Sequence, residues 1–407
     1  MRTARSEGLG SGAAPITRAW EVLLASLQLG LTSFGGPMAH LGYFERAYVQ
    51  QRGWLTSDEY GSVVALCQML PGPASSQVGF LIGLHRAGWV GAFAAWLGFT
   101  LPSALLMYAC AVLAARLHGP IAQAAVHGLK LVAVAVVAQA VWSMACRLCP
   151  DRATTAIALV SASMLLVVGG ASMQLAALGI GAAAGAVICR NTRLESRPPS
   201  ISIRPGLAWG ALALYMLLLA GLPLLARLFP NGLIALSAIF YRAGALVFGG
   251  GHVVLPLLRD AMVPGGWISD DGFLTGYGLA QTVPGPLFTL AAYLGAASGF
   301  VHVPAAGAGI AVASIFLPGM LIAVAGVSLW SRLARHEHVR ASLAGINAAV
   351  VGFLGAALYD PVWATAVRGG ADAAIAIVGF ALLERWKAPP IAVVFTCVAL
   401  SSVRAFF

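Results

Sequence analysis

Long runs of this sequence carry no charged residue, and these runs constrain the fold more than any other feature. One extends from Ala153 to Cys189 and another from Gly272 to Ser331. A helix needs roughly 20 consecutive apolar residues to cross the hydrocarbon core of a bilayer, and each run is longer than that. Only 9% of the residues are charged, whereas a soluble chain carries about 25%. The sequence therefore predicts an all-α polytopic membrane protein rather than a soluble enzyme.

Counting the apolar tracts predicts about 13 transmembrane helices, once the two longest runs are divided and the runs flanking Arg242 are merged. A count of about 12 is the alternative, because the tracts after Arg340 are short and one of them could be re-entrant. Basic residues gather in loops that stay in the cytoplasm. With the larger count, this rule places the N-terminus in the cytoplasm and the C-terminus on the opposite side.

The chain repeats itself at a nearly constant spacing. Phe34-Gly35-Gly36-Pro37 recurs as Phe248-Gly249-Gly250-Gly251, and the segment from Gln68 to Pro73 recurs from Gln281 to Pro286 with the pattern Gln-x-x-Pro-Gly-Pro. Trp54 and Asp58 recur in the same order as Trp267 and Asp271. An odd number of helices separates corresponding points, which predicts two repeats of inverted topology. Inverted repeats are typical of secondary transporters that alternate access around a central site.

The repeat divides the chain into four predicted segments. Residues 1–17 form a cytoplasmic tail, because they lack the apolar core of a signal peptide. Residues 18–189 form the first repeat, 190–230 form a linker plus a connecting helix, and 231–407 form the second repeat.

Each repeat places glycine and proline inside apolar sequence, which predicts broken helices, since proline removes a backbone donor and glycine permits unusual dihedral angles. Irregular backbone at membrane depth is tolerated only when it is buried in protein or lines a watery cavity. Two broken helices would direct free N–H groups and the positive ends of helix dipoles at one point, which favours an anion. The alternative is that these residues only kink and pack the helices.

The predicted substrate-binding residues are the members of these motifs, the glutamines before them, one histidine and two basic side chains. Gln68 and Gln281 would donate amide hydrogens to substrate oxygens, and Arg242 would be costly to bury without a function. Lys130 either contacts a substrate oxygen or extends to the membrane interface. The full set is Gly35, Gly36, Pro37, Gln68, Pro71, Gly72, Pro73, Gly249, Gly250, Gly251, His252, Gln281, Pro284, Gly285, Pro286, Arg242 and Lys130.

Further titratable residues are candidates for gating or coupling. Glu45-Arg46 and Arg259-Asp260 occupy aligned positions in opposite order, and they either exchange partners as the repeats move or form ordinary interfacial ion pairs. His40 and His252 lie beside the glycine motifs, where each binds an anion or a proton or is simply a hydrogen-bonded histidine. Glu21 either couples protons to transport or faces the interface.

No catalytic residue, metal site or cofactor is predicted. The pair Cys146-x-x-Cys149 lacks a second pair and nearby histidines, and no Walker-type phosphate loop is present. The net charge is +10, yet the basic residues are scattered, so no nucleic-acid partner is expected. A membrane-embedded enzyme would need clustered acids or histidines; that class and a passive channel are the alternatives to a carrier.

The motifs together resemble the chromate ion transporter family in its long, two-repeat form. Residues 34–44, 68–73 and 77–79 carry the resemblance in the first half, and residues 248–257 and 281–286 carry it in the second. It implies export of chromate across the bacterial inner membrane. The membrane potential favours exit of a dianion, so we expect the potential or a proton gradient to drive export. The count of 13 helices places the C-terminus in the periplasm. Sulfate or another tetrahedral oxyanion is the alternative substrate. The lipid bilayer is the other expected partner, and a homodimer is left open.

Overall fold

The computed structural model describes residues 15–34, 36–114, 120–168, 171–189, 201–230, 232–248, 251–333 and 336–404. Most of the predicted N-terminal tail and most of the predicted linker lie outside the described residues, as do Gly35, Gly249 and Gly250. The described helices are α1 (Pro15–Thr32), α2 (Gly36–Phe44), α3 (Ser57–Met69), α4 (Ala74–Ala114), α5 (Pro120–Leu148), α6 (Arg152–Val167), α7 (Ala171–Ile188), α8 (Pro205–Leu228), α9 (Leu233–Leu246), α10 (Val254–Met262), α11 (Asp270–Ala280), α12 (Leu290–Ala296), α13 (Pro304–Leu333), α14 (Glu337–Ala357), α15 (Ala364–Ala366), α16 (Gly370–Glu384) and α17 (Pro390–Arg404).

Five of these helical stretches are long and apolar enough to cross a membrane. They are Ala74–Leu113, Gln123–Leu148, Pro205–Leu228, Pro304–Leu329 and Glu337–Ala366. The described residues contain helices and turns but no strand. The chain is thus an all-helical polytopic membrane protein, as predicted, while the number of crossings stays a prediction.

Two tracts that were counted as single spans each consist of two short helices that fold back on one another. In the first, α1 ends at Thr32 and α2 begins at Gly36, and the Ser26 Oγ lies 2.9 Å from the Tyr48 hydroxyl. In the second, α3 and the start of α4 join at the Pro-Gly-Pro motif, and the Arg86 guanidinium lies 5.4 Å from the ring of Trp54. Each pair is a helical hairpin, because glycine and proline end the first helix partway along the tract. These contacts do not support counting each tract as one crossing.

The second half contains the same two hairpins. The pair α9 and α10 surrounds the second glycine motif, and the pair α11 and α12 surrounds the second Pro-Gly-Pro motif. The ends of the two hairpins meet at Trp267, whose carbonyl accepts a hydrogen bond from the Gly299 N–H at 3.1 Å. The Trp267 ring also contacts Phe300, with ring centroids 5.0 Å apart. The repeat in sequence is therefore a repeat of local structure.

A tight turn follows the second hairpin in each half. Helix α4 bends sharply at Ala87 and Gly88, and its two limbs pack so closely that a Cβ on Gly83 would lie 2.3 Å from the Gly91 carbonyl oxygen. In the second half a Cβ on Gly295 would lie 2.3 Å from the Gly307 carbonyl oxygen. Small residues permit this approach of two backbones. The long second limb of α4 and the long helix α13 begin at these turns.

The remaining helices are exchanged between the halves. Helix α5 of the first half packs against α16 and α17 of the second, and α14 of the second half packs against α6 and α7 of the first. Glycines lie at both contacts, since a Cβ on Gly128 would meet Val398 and one on Gly345 would meet Gly181. Helix α8 packs on α9 and α13. The two halves are therefore interlocked by helices from each packing against the other.

Candidate functional site

The two Pro-Gly-Pro breaks are hydrogen-bonded reciprocally, each to the other half of the chain. The Gly72 N–H donates to the Val247 carbonyl at 2.7 Å, and the Gly285 N–H donates to the Ser33 carbonyl at 2.8 Å. Val247 and Ser33 come just before the two Phe-Gly-Gly motifs. Each break of one half is thus joined to the glycine motif of the other half, and the motifs that the sequence singled out do meet.

Glycine is required at both breaks for two reasons. The φ angle is +118° at Gly72 and +98° at Gly285, a region that side chains rarely adopt. A Cβ on Gly72 would also lie 2.8 Å from the Gly319 Cα, and a Cβ on Gly285 would lie 2.8 Å from the Ser103 Oγ. Gly319 and Ser103 are equivalent, because each follows a Leu-Pro pair within a long helix. The same close approach therefore occurs twice.

The N–H groups of Gly72 and Gly285 are satisfied by protein carbonyls and are not free for a ligand. The sequence predicted free N–H groups at the breaks. Because these two are occupied, any N–H groups that bind an anion must belong to other residues. A helix leaves the N–H groups of its first turn without an intrahelical partner. At the first break these groups belong to the start of α4, directly after Pro73. The positive end of the α4 dipole lies there as well.

Polar side chains for which the sequence predicted no site role lie beside the two breaks, Gln77 and Ser76 at the first and Ser33 and Thr100 at the second. Gln77 is buried, and its Nε2 donates to the Pro71 carbonyl at 2.8 Å and to the Gly319 carbonyl at 2.9 Å. The hydroxyls of Ser33, Ser76 and Thr100 are buried and engage no other described residue. These hydroxyls can donate to an oxyanion. The run Ser75-Ser76-Gln77 within an apolar tract was the signal that could have identified part of this set.

The two motif histidines are hydrogen-bonded to the second hairpin of their own half. His40 is buried, with its Nδ1 3.4 Å from the Ser75 Oγ and its ring edge-on to Phe99. His252 has its Nδ1 2.8 Å from the Tyr277 hydroxyl. These contacts fit the interpretation of hydrogen-bonded histidines that position the glycine motifs. Through Ser75, His40 lies next to Ser76, whose buried hydroxyl is at the start of α4.

The two predicted amide donors have unlike surroundings. The side chain of Gln68 is exposed in the last turn of α3, whereas Gln281 is half-buried at the end of α11.

The predicted glycines and prolines of the motifs lie at the breaks or beside them. Gly36 has a φ of +78°, and Gly251 is buried against Leu287 and Phe288. Pro71, Pro73, Pro284 and Pro286 flank the two breaks, and nothing is described for the side chain of Pro37.

Lys130 has a partner that the sequence did not reveal. Only 3% of its side chain is exposed, and its ammonium group bonds to the carboxylate of Asp271 on α11. One turn earlier on α5, the His127 Nε2 lies 3.0 Å from the carboxylate of Asp372 on α16, which is buried. Two basic side chains of the first half are therefore joined to acids of the second half. This pairing adds a third interpretation of Lys130 to the two drawn from the sequence.

The predicted gating pairs differ between the halves. Arg259 binds both carboxylate oxygens of Asp270, at 2.9 and 3.1 Å, and lies 3.6 Å from Asp260. Asp260 is also bonded to Gln174 of α7. Glu45 is half-exposed and Arg46 is exposed, in the π-helical turn after α2.

Among the described residues, no group of histidine, cysteine or acidic side chains is arranged to hold a metal ion.

Glu21 pairs with Arg86 at 3.0 Å, and both side chains are substantially exposed. Exposed ion pairs contribute about 0–1 kcal/mol. We therefore expect Glu21→Gln to change the transport rate by less than about fivefold, the factor that 1 kcal/mol corresponds to. Uptake assays on vesicles that contain equal amounts of wild-type and variant protein measure this. Loss of transport in Glu21→Gln, with normal protein levels, would instead favour the proton-coupling interpretation of Glu21.

Arg242 lies on α9, half-buried, in a cavity of about 300 Å³ that Gln174, Leu257 and Trp267 also line. It precedes Val247 by about 8 Å along the helix axis. The described contacts do not join it to either break.

The chain was compared with protein families and with known proteins. The family model named Chromate transporter matches residues 20–187 and again residues 234–402. The chromate transport protein of Pseudomonas aeruginosa is 28% identical over 372 residues, which cover 89% of this chain and 86% of that protein. The chromate transport protein of Cupriavidus metallidurans is 26% identical over 386 residues, which cover 92% and 90%. No solved structure matches the chain.

The two matched segments correspond to the two halves that share the hairpins, and together they include most of the chain. They confirm the resemblance drawn from the glycine and proline motifs. The family is one of transporters rather than enzymes. This chain belongs to the chromate transporter family.

Proposed function

We propose that the protein is a secondary carrier that exports chromate from the cytoplasm by alternating access. The observation that carries the proposal is the reciprocal pairing of the two breaks, in which Gly72 binds the chain before one glycine motif and Gly285 binds the chain before the other. Such symmetry places equivalent irregular segments of both halves around one centre. Carriers built from two inverted repeats hold substrate at a centre of this kind.

The fold supports an inverted relation between the halves. A helical hairpin returns the chain to the side from which it came, so the two hairpins of each half leave it on its starting side. The long helix pairs α4 with α5 and α13 with α14, and the shorter pairs α6 with α7 and α16 with α17, also contribute even numbers. The connecting helix α8 is left over. It would carry the chain across once, so the second half starts on the opposite side and the C-terminus lies in the periplasm of a bacterial inner membrane.

Hydrogen-bond donors, rather than a cluster of cations, would hold the anion at the centre. The start of α4 offers first-turn N–H groups and the positive end of a helix dipole. The buried hydroxyl of Ser76 lies at the start of α4, beside the first break, whereas Ser33 and Thr100 lie beside the second break, where the Ser33 carbonyl binds the Gly285 N–H. A tetrahedral dianion has four oxygens that accept such bonds. The absence of a direct ion pair would let the carrier release its substrate readily.

The membrane potential favours export. Moving one elementary charge through 100 mV corresponds to about 2.3 kcal/mol, so a dianion leaving a negative interior gains about 4.6 kcal/mol, or a gradient of roughly 2000-fold. Uptake of the same ion would need more than two protons per cycle to reverse the electrical term. Asp372, the buried acid of the described residues, is already paired with His127. Export by the potential alone therefore needs the fewest assumptions.

Inside-out membrane vesicles test the function. We expect saturable uptake of radiolabelled chromate that rises when the lumen is made positive. Competition with unlabelled sulfate measures the preference between the two oxyanions. Sulfate flux without chromate flux would identify the alternative substrate, and a rate that never saturates and shows no trans-stimulation would indicate a channel.

A further inference from the structure

The cavity around Arg242 lies apart from the two breaks and has a distinct lining. It is bounded by the end of α8, the middle of α9 and one face of α10. Its walls are mostly apolar, as with Pro223, Ala238 and Leu257, and Trp267 borders it. Arg242 and Gln174 supply its polar groups. The volume of about 300 Å³ is enough for a small anion with water, or for part of a lipid headgroup.

Arg242 has no counter-ion among the residues that the structure describes. The nearby acids are already engaged, because Asp260 is bonded to Gln174 and lies 3.6 Å from Arg259, and Asp270 is bound by Arg259 through both oxygens. No ion pair or hydrogen bond joins the Arg242 side chain to any other residue that the structure describes. A guanidinium stays charged in proteins. A half-buried cation without a partner among the described residues is costly.

The first half carries no positive charge at the aligned position. Gln28 occupies the position aligned with Arg242, and it is exposed. Helix α8, which borders the cavity through Pro223 and Ala226, precedes α9 in the second half. Among the described residues, the positive charge is therefore a feature of the second half.

We propose that the cavity under α8 is a second anion site, in which the planar guanidinium of Arg242 binds a tetrahedral oxyanion group through two parallel hydrogen bonds. Arginine matches the geometry of such groups. Two sources supply this chemistry: a soluble oxyanion, or the phosphate of a phospholipid whose chain lies along the apolar walls. A soluble oxyanion in this cavity rests on the proposed function, because it would be transported substrate near the end of its path. A bound phospholipid is independent of the proposed function.

Three variants test the site. Arg242→Gln installs the residue found at the aligned position of the first half. Arg242→Lys keeps the positive charge but lacks the two parallel N–H donors of a guanidinium. Arg227→Gln removes an exposed arginine at the end of α8 and is the matched control. Each protein is purified in a non-ionic detergent without phosphate groups, so that no lipid phosphate competes for the site. Equilibrium dialysis with radiolabelled chromate or sulfate counts bound anions, and the shift of Tm with added sulfate measures anion binding to the folded state.

For the soluble source, we expect Arg242→Gln to bind one anion fewer than wild type, with Arg242→Lys intermediate and Arg227→Gln unchanged. For the lipid source, native mass spectrometry of protein from an anionic membrane is expected to show a phospholipid that wild type and Arg227→Gln retain and Arg242→Gln loses. Equal anion counts and equal lipid retention in all proteins would overturn the proposal. Binding of sulfate without any chromate flux would refute chromate export and leave this site standing.

Discussion

Replacing Gly72 with alanine is expected to slow transport by roughly tenfold or more and to lower thermal stability. A side chain at a φ of +118° costs about 1–2 kcal/mol. The new Cβ would also lie 2.8 Å from the Gly319 Cα, a backbone atom that cannot move aside without shifting α13. Overpacking of this kind typically costs about 1–3 kcal/mol. The bond from the Gly72 N–H to Val247 depends on the same geometry, so the break would lose its link to the other half.

Gly285→Ala tests the same geometry in the second half, with one useful difference. The nearest atom to the new Cβ there is the Ser103 Oγ, at 2.8 Å, which belongs to a side chain. Ser103→Gly would remove that contact, and it installs the residue that stands at the equivalent position 319. We therefore expect the double variant Gly285→Ala with Ser103→Gly to recover part of the activity that Gly285→Ala loses, while the cost of the positive φ remains.

Vesicle uptake and thermal unfolding, measured on the same preparations, check both substitutions. Gly179→Ala is the matched control, because Gly179 lies within a helix and a Cβ there would meet no atom within 4 Å. We expect that control to transport normally, and the two break variants to lose roughly tenfold or more in rate, which corresponds to about 1.4 kcal/mol. Normal transport by Gly72→Ala would show that the breaks serve only to kink the helices.

Sequence alone predicted the broken helices and their recurrence, because glycine and proline act locally. It could not show that the chain reverses after each break. Proline ends a helix in the same way whether the chain continues or turns back, and the reversal shows only in contacts between the two limbs, such as that of Arg86 with the ring of Trp54. The crossed pairing of Gly72 with Val247 was equally hidden, since it joins residues far apart in the chain.

The charged candidates show the same limit. Arg242 and Lys130 stood out because each interrupts apolar sequence, yet their environments differ. Lys130 is paired with Asp271, whereas Arg242 lines a cavity and pairs with no described acid. Sequence spacing gives the depth of a charge along its own helix, but its partner lies on another element. Only the fold separates the two cases.

The ion pair of Lys130 with Asp271 gives the second large expected effect, and that effect is asymmetric. Lys130 is 3% exposed while Asp271 is 64% exposed. Asp271→Asn would leave a buried ammonium without a counter-charge, and breaking a buried pair in this way costs about 3–5 kcal/mol. Lys130→Met would leave only an exposed carboxylate, which water solvates. We therefore expect Asp271→Asn to destabilise the protein far more than Lys130→Met does.

The double variant Lys130→Met with Asp271→Asn distinguishes two roles of Lys130, a structural ion pair and a substrate ligand. If the pair only joins α5 to α11, the double variant should regain most of the stability lost by Asp271→Asn and should transport chromate, because no buried charge remains unpaired. Thermal unfolding and vesicle uptake of the four proteins form a double-mutant cycle. Glu384→Gln with Lys387→Met, at the more exposed pair 3.2 Å apart on the C-terminal side, is the control and should show little coupling. A stable double variant that transports no chromate would instead indicate that Lys130 binds substrate. Substrate would then replace Asp271 as the partner of the Lys130 ammonium group.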